Sequence, residues 1–138
     1  MLSFLYALLT KECALAARRV GFDPLLGFYH RPRFGRPALA LDLMEELRPL
    51  IADSVLLTLV NGGRLTIGDF AERGGAVTLT ASGRRAVIAS FEQRLTTALV
   101  HPTFGYRVTY RRAIELQARI LAATLLGDVP AYRPLVTR

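Results

Sequence analysis

The apolar positions of this chain recur mainly at helical spacing. Leu5, Leu8, Leu9, Cys13, Ala16, Ala17 and Val20 repeat every three to four residues, which predicts a helix over Leu2 to Val20. Arg18 and Arg19 suit its C-terminal dipole, and Gly21 is a natural stop. Its start has no N-cap residue beyond Met1, so the helix is expected to be cut from a longer element or to pack on a segment outside the chain. Residues 21–37 are punctuated by Gly21, Pro24, Gly27, Pro32, Gly35 and Pro37 and read as a loop. A second helix is expected from about Leu39 to Leu59, with Leu43, Met44, Leu47, Leu50, Ile51 and Val55 inward. Asp42, Glu45, Glu46 and Asp53 fall on its polar side, and Pro49 should kink or split it.

After Asn61-Gly62-Gly63 the pattern resumes. A short helix at Thr66 to Glu72 is expected, capped by Thr66 with Asp69 at the third position. Ala76 to Thr80 alternates weakly and reads as one short strand or a linker. A third long helix is expected over Ala81 to Leu99, with Val87, Ile88, Phe91, Leu95 and Ala98 inward. A fourth runs from about Tyr106 to Leu126, with Tyr110, Ile114, Ala118, Leu121 and Leu125 inward. The fold class is therefore mostly α: a helical bundle with at most one short strand or hairpin.

At 138 residues, 51% of them hydrophobic, the chain has the size and composition of one domain with one core. It carries 17 arginines, one lysine and a net charge of +7. Arginine binds phosphate bidentately, so the bias suits a phosphate-rich partner, although a GC-rich genome would also produce it. Residues 1–63 hold seven basic and six acidic side chains, whereas residues 64–138 hold eleven and five. The acids concentrate in the first half, and the second half reads as an anion-attracting surface. A single cysteine, Cys13, excludes an internal disulfide framework and reads as a small core residue. The apolar start is broken by Lys11 and Glu12, too short to span a bilayer and without a basic leader, which predicts a core helix of a cytoplasmic protein.

The residues that could carry chemistry cluster early. Asp42 and Glu45, three apart, share one helical face. His30 lies on the loop before them and could fold back over that face to complete a nitrogen-and-oxygen site. Such a donor set suits manganese or magnesium, which accept oxygen ligands and can stabilise charge on a transferring phosphoryl group. The same spacing is also what an ordinary solvated helix face shows. His101 is expected to be a loop residue without a ligand role, and Glu12 a surface or structural acid. No nucleophile elbow, phosphate-binding glycine loop or zinc cysteine pair is found.

Three runs point further. Leu9-Thr10-Lys11-Glu12-Cys13 leads through Gly21-Phe22-Asp23-Pro24 to Gly27-Phe28-Tyr29-His30. The second is Leu41-Asp42-Leu43-Met44-Glu45-Glu46-Leu47-Arg48-Pro49-Leu50, and the third runs from Thr109-Tyr110-Arg111-Arg112 to Ala118-Arg119. In that order they resemble the α-helical catalytic domain of the CRISPR-associated integrases that insert new spacers into the repeat array. The resemblance covers nearly the whole chain. It implies a single α-helical catalytic domain over residues 1–138, with the family's N-terminal β domain and first ligand helix absent. It implies a metal-dependent DNA endonuclease and integrase, prokaryotic and cytoplasmic, acting by phosphodiester transesterification. His30 and Glu45 match the family's metal ligands, manganese or magnesium being the ion, with Asp42 an acidic neighbour. Arg31, Arg33 and Arg36 would neutralise DNA phosphates. The implied partners are branched or double-stranded DNA (repeat and spacer precursor), a second copy of the chain and a small ferredoxin-like adaptation protein, with no membrane.

The family's first glutamate has no match here, so the chain by itself is expected to be nearly inactive. Two rival readings follow from the residues: a non-catalytic fragment that binds DNA or a partner, and a helical regulator in which residues 64–99 mimic a winged helix.

Overall fold

The computed structural model describes residues 1–23 and 38–136. Helix α1 spans Leu2–Val20 and ends where Gly21 takes a left-handed conformation (φ 99°). There the Gly21 N–H donates to the Arg18 carbonyl and the Phe22 N–H to the Ala17 carbonyl, at 3.0 and 2.9 Å. This paired closure satisfies carbonyls that a simple helix end would leave open.

Helix α2 covers Ala38–Leu47 and α3 covers Ser54–Asn61, joined through a wider helical turn at Pro49–Asp53. Pro49 has no N–H, and its ring crowds the carbonyl one turn back. The chain responds by widening rather than breaking: the Asp53 N–H reaches the Arg48 carbonyl, five residues back, at 2.9 Å. The expected kink is thus a wide turn that keeps one continuous apolar side, with Leu43, Leu47, Ile51, Val55 and Leu59 all buried.

A short turn at Ile67–Asp69 leads into strands β1 (Phe70–Arg73) and β2 (Ala76–Leu79). The expected cap is present: the Thr66 N–H donates to the Asp69 carboxylate at 2.8 Å. The strands pair antiparallel, with Phe70 opposite Leu79 and Arg73 opposite Ala76. Gly74 and Gly75 close this hairpin at positive φ, as a tight two-residue turn requires. The predicted short helix is therefore one turn, and its second half is the strand that pairs with the weakly alternating run.

Helix α4 spans Ala81–Thr96 and α5 spans Tyr110–Leu125. Thr80 and Thr109 cap them, accepting from the N–H of Gly83 and of Arg112, each at 3.2 Å. Between them lies a second hairpin, β3 (Ala98–Val100) with β4 (Arg107–Thr109). The mostly helical class holds, but the limit of one hairpin does not. Both long helices stop short of the expected bounds because their flanking residues pair with each other instead. Ile88, Ala98 and Leu125, expected inward, are exposed.

The core is one cluster. Leu5, Leu9, Cys13 and Ala17 of α1 meet Leu39, Leu43 and Leu47 of α2, Ile114 and Ala118 of α5, and Leu135 of the C-terminal segment. α1 packs on both α2 and α5. Among the described residues no helix is long and apolar enough to cross a membrane.

Candidate active-site groove

Helix α2 buries Leu39, Leu43 and Leu47 against α1, which turns its acidic stripe toward α5 and the C-terminal segment. Asp42 and Glu45 line a groove of about 490 Å³ there. Its opposite wall is apolar, built by Leu121 and Leu125 of α5 with Tyr132 and Pro134 of the C-terminal segment. The spacing argument is met to this extent: the two carboxylates face one groove.

Glu45 is exposed and held from its own helix. The Arg48 guanidinium lies 3.0 Å from its carboxylate. Arg48 in turn donates to the Tyr6 hydroxyl at 3.1 Å and stacks over the Tyr6 ring at 4.4 Å. Tyr6 donates to Asp53 at 2.8 Å. Asp53, expected on the solvated side of its helix, is thus half-buried and bound to α1. This short relay fixes the cation beside Glu45 from two other elements, a geometry that an exposed ion pair alone would not hold.

Glu46 departs from the sequence reading. The helical pattern puts it on the polar side, whereas the fold half-buries it and gives it three donors. The Leu135 N–H reaches it at 2.9 Å and the Gln117 amide at 3.2 Å, and the Tyr132 hydroxyl makes a short bond. Gln117 is fully buried, and so is His101, which lies 3.0 Å from it. His101 Nδ1 accepts from the Thr103 N–H at 3.2 Å. Nε2 therefore carries the proton and donates to the Gln117 carbonyl oxygen, which points the Gln117 amide group at Glu46. A directed chain of donors thus runs from the β3–β4 hairpin through α5 to α2.

Burial holds the His101 pKa below its ordinary value, so the ring stays neutral. Burial, followed by the Glu46 charge, pushes the Tyr132 phenol up and keeps it a donor. His101 is a loop residue as expected, with a structural partner that its sequence position did not announce. The signal that could have found the network is Gln117 itself. It is a polar residue between the apolar positions Ile114, Ala118 and Leu121, and a buried amide has to be satisfied. Among the described residues, no buried side-chain nitrogen or oxygen is left without a partner.

The remaining candidates divide as follows. His30, Arg31, Arg33 and Arg36 lie outside the described residues. Glu12 is structural, pairing with Arg111 at 3.5 Å, while Arg111 also holds Glu92 at 2.7 Å. Arg112 and Arg119 both pair with Glu115, at 2.7 and 2.9 Å. Much of the cationic side of α5 is therefore internally paired. Cys13 is buried, and that burial pushes its thiol pKa up, away from reactivity.

Among the described residues no group of three or more histidine, cysteine, aspartate or glutamate side chains stands together as a metal cage. Asp42 and Glu45 supply two carboxylates on one wall, the hard oxygen donors that manganese and magnesium accept. Glu46 is occupied by its three donors.

The model for CRISPR associated protein Cas1 matches residues 1–93, more than half of the chain. A "CRISPR-associated exonuclease Cas4/endonuclease Cas1 fusion" of Geobacter sulfurreducens is 53% identical over the whole chain, which covers 25% of that protein. A "CRISPR-associated endonuclease Cas1 3" of Thermus thermophilus is 44% identical over the whole chain, which covers 42% of it. Among solved structures, a casposase bound to integration product superposes with a TM-score of 0.89 at 27% identity, over all of this chain and 41% of that one. The chain thus spans a quarter to about two fifths of the length of these relatives.

Proposed function

Because this chain belongs to the CRISPR-associated Cas1 family, we propose that its α2 groove is part of the DNA-cutting and DNA-joining centre of a metal-dependent spacer-acquisition integrase. The observation that carries the reading is the pair Asp42 and Glu45 on one wall of the groove, in a chain whose relatives are named endonucleases.

The reaction is a transesterification. The 3′-hydroxyl oxygen of an incoming strand bonds to a phosphorus of the repeat, and that phosphorus releases its own 3′-oxygen. One phosphodiester forms and one breaks, so no outside energy source is required. Glu45 and His30 would hold a manganese or magnesium ion, with Asp42 positioning a further ligand or water. When bound, the ion neutralises charge developing on the phosphoryl group. Arg48 orients the Glu45 carboxylate and places a positive charge beside the groove. Arg31, Arg33 and Arg36 would contact flanking phosphates. A second copy of the chain, a small ferredoxin-like adaptation protein and a cytoplasmic, prokaryotic setting belong to the same proposal and rest on family resemblance.

The test is manganese-dependent cleavage of branched DNA by the chain joined to the N-terminal part that the family carries, with Glu45→Gln and His30→Ala as variants; the chain alone is expected to be nearly inactive. Misplacing a reacting group by about 1 Å can cost roughly a hundredfold in rate, and each variant is expected to lose at least about that much. Cleavage that survives both variants would overturn the site. DNA binding with no metal-dependent cleavage would instead fit a non-catalytic binding module.

A further inference from the structure

Among the described residues, the segment after α5, as far as Val136, has no regular structure, yet it supplies half of the groove's apolar wall. Arg133, Pro134 and Val136 are exposed, while Leu135 is 2% exposed and sits in the core. Beside Leu135, the segment is held by polar contacts. The Tyr132 hydroxyl and the Leu135 N–H both end on Glu46, and the Arg133 carbonyl accepts from Gln117 at 3.1 Å. Glu46 is the next residue after Glu45 and one turn from Asp42. The helix that presents the two groove carboxylates therefore also carries the anchor of the wall opposite them. Loss of that anchor would leave α2 and its acids in place and release the facing wall.

We propose that Glu46 is a positioning residue: it fastens Tyr132 to Leu135 as the second wall of the groove, and through that wall sets how tightly the site holds a DNA strand end. The inference rests on the reading of the groove as a DNA site. The chemistry fits a strand end, whose sugar and base can lie on Tyr132, Pro134, Leu121 and Leu125, while the cation proposed at Glu45 would stand between its phosphate and the carboxylates. A carboxylate is the right anchor, because it accepts several donors at once and charge-assisted bonds are about twice as strong as neutral ones. It also accounts for the direction of the His101–Gln117 chain, which turns the Gln117 donor toward Glu46 and completes the anchor.

The experiment uses the chain joined to the N-terminal part that the family carries and compares it with its Glu46→Ala, Glu46→Gln and Tyr132→Phe variants in three measurements: hydrogen exchange at the Leu135 amide, affinity for a fluorescent DNA with a 3′ overhang, and manganese-dependent turnover at saturating DNA. Losing charge-assisted bonds worth one to two powers of ten predicts Leu135 exchange faster by about tenfold or more, and DNA affinity weaker by about tenfold, in Glu46→Ala. Turnover at saturating DNA should fall by less than affinity does. Glu46→Gln, which keeps one acceptor oxygen, should lie in between. Tyr132→Phe keeps the ring in the groove and removes one hydroxyl, so it should shift exchange and affinity the same way even if Glu46→Ala fails to fold.

Faster Leu135 exchange with unchanged DNA affinity would overturn the proposal. So would unchanged Leu135 exchange, or a loss confined to turnover at saturating DNA. If the unmodified joined chain bound no DNA, the reading of the groove would fall together with this inference. If it bound DNA and the variants bound equally well, only the inference would fall.

Discussion

Glu45 and Glu46 are neighbours in sequence with the same side chain, and the fold gives them opposite surroundings. Glu45 stands exposed at the groove with a partner three residues along its own helix. Glu46 is half-buried and bound from α5 and the C-terminal segment. The outward corner of α2 keeps a carboxylate that can be claimed by an incoming ligand, because Glu45 is exposed and ion pairs at the surface contribute little to stability. The inward corner spends its carboxylate on architecture. The two side chains carry the same charge, but neighbouring positions on a helix differ by about 100° in phase, which turns Glu46 toward a different part of the fold. That step in phase decides which element lies alongside each: Arg48 beside Glu45, and α5 with the C-terminal segment beside Glu46.

The comparison is broken most strongly from the buried side. Gln117→Leu keeps the approximate volume but strips the partner from His101 Nε2 and one donor from Glu46. Leaving a buried polar group unsatisfied costs about 1–3 kcal/mol, and this network would lose more than one contact. Urea denaturation should show a loss of roughly 2–4 kcal/mol for this variant. A loss below about 0.5 kcal/mol, the range of an ordinary surface change, would mean that the network adds no more than a surface contact.

A second contrast lies in pH. Burial depresses the His101 pKa in the folded chain below the ordinary histidine value. The unfolded state therefore binds this proton first as pH falls, and acid favours unfolding. This contribution to stability is present above the unfolded value and is lost as pH drops from there toward the folded value. Unfolding midpoints in urea should fall between about pH 7.5 and about pH 5.5, the range in which a free histidine titrates. The drop should be smaller in His101→Gln, and an identical drop would assign the effect to other groups.

The smallest effect is expected on the outward side. Tyr6→Phe removes the hydroxyl that links Arg48 to Asp53. A typical hydrogen bond contributes about 1 kcal/mol, and thermal unfolding should show a loss of about that size. Cleavage should fall only modestly, because Glu45 keeps Arg48. A stability loss as large as that of Gln117→Leu would erase the distinction between the two corners.

Much of this architecture can be read from residue patterns. α1 follows directly from its apolar repeat and Gly21, and Thr66 with Asp69 announces a cap that the fold contains. Pro49 announces a disturbance, although not its form. The β3–β4 hairpin was illegible, because three-residue strands offer no period and their neighbours have helical periodicity on both sides. At the groove, the shared face of Asp42 and Glu45 was legible as a three-residue spacing. The role of Glu46 was not, because its partner Gln117 lies 71 residues away in sequence. His30 and the loop arginines were assigned from resemblance and lie outside the described residues.

The central claim is that the outward corner of α2 performs chemistry. Its most direct test is joining of a 3′-hydroxyl DNA end to a branched repeat substrate in manganese, with Glu45→Gln set against Glu12→Gln. Glu12 carries the same charge on α1 but pairs with Arg111 away from the groove-lining residues. The account predicts that Glu45→Gln loses joining by about a hundredfold or more, as expected for a displaced reacting centre. Glu12→Gln should join within a few-fold of the unmodified protein. Equal joining by all three, or equal loss in both variants, would contradict it.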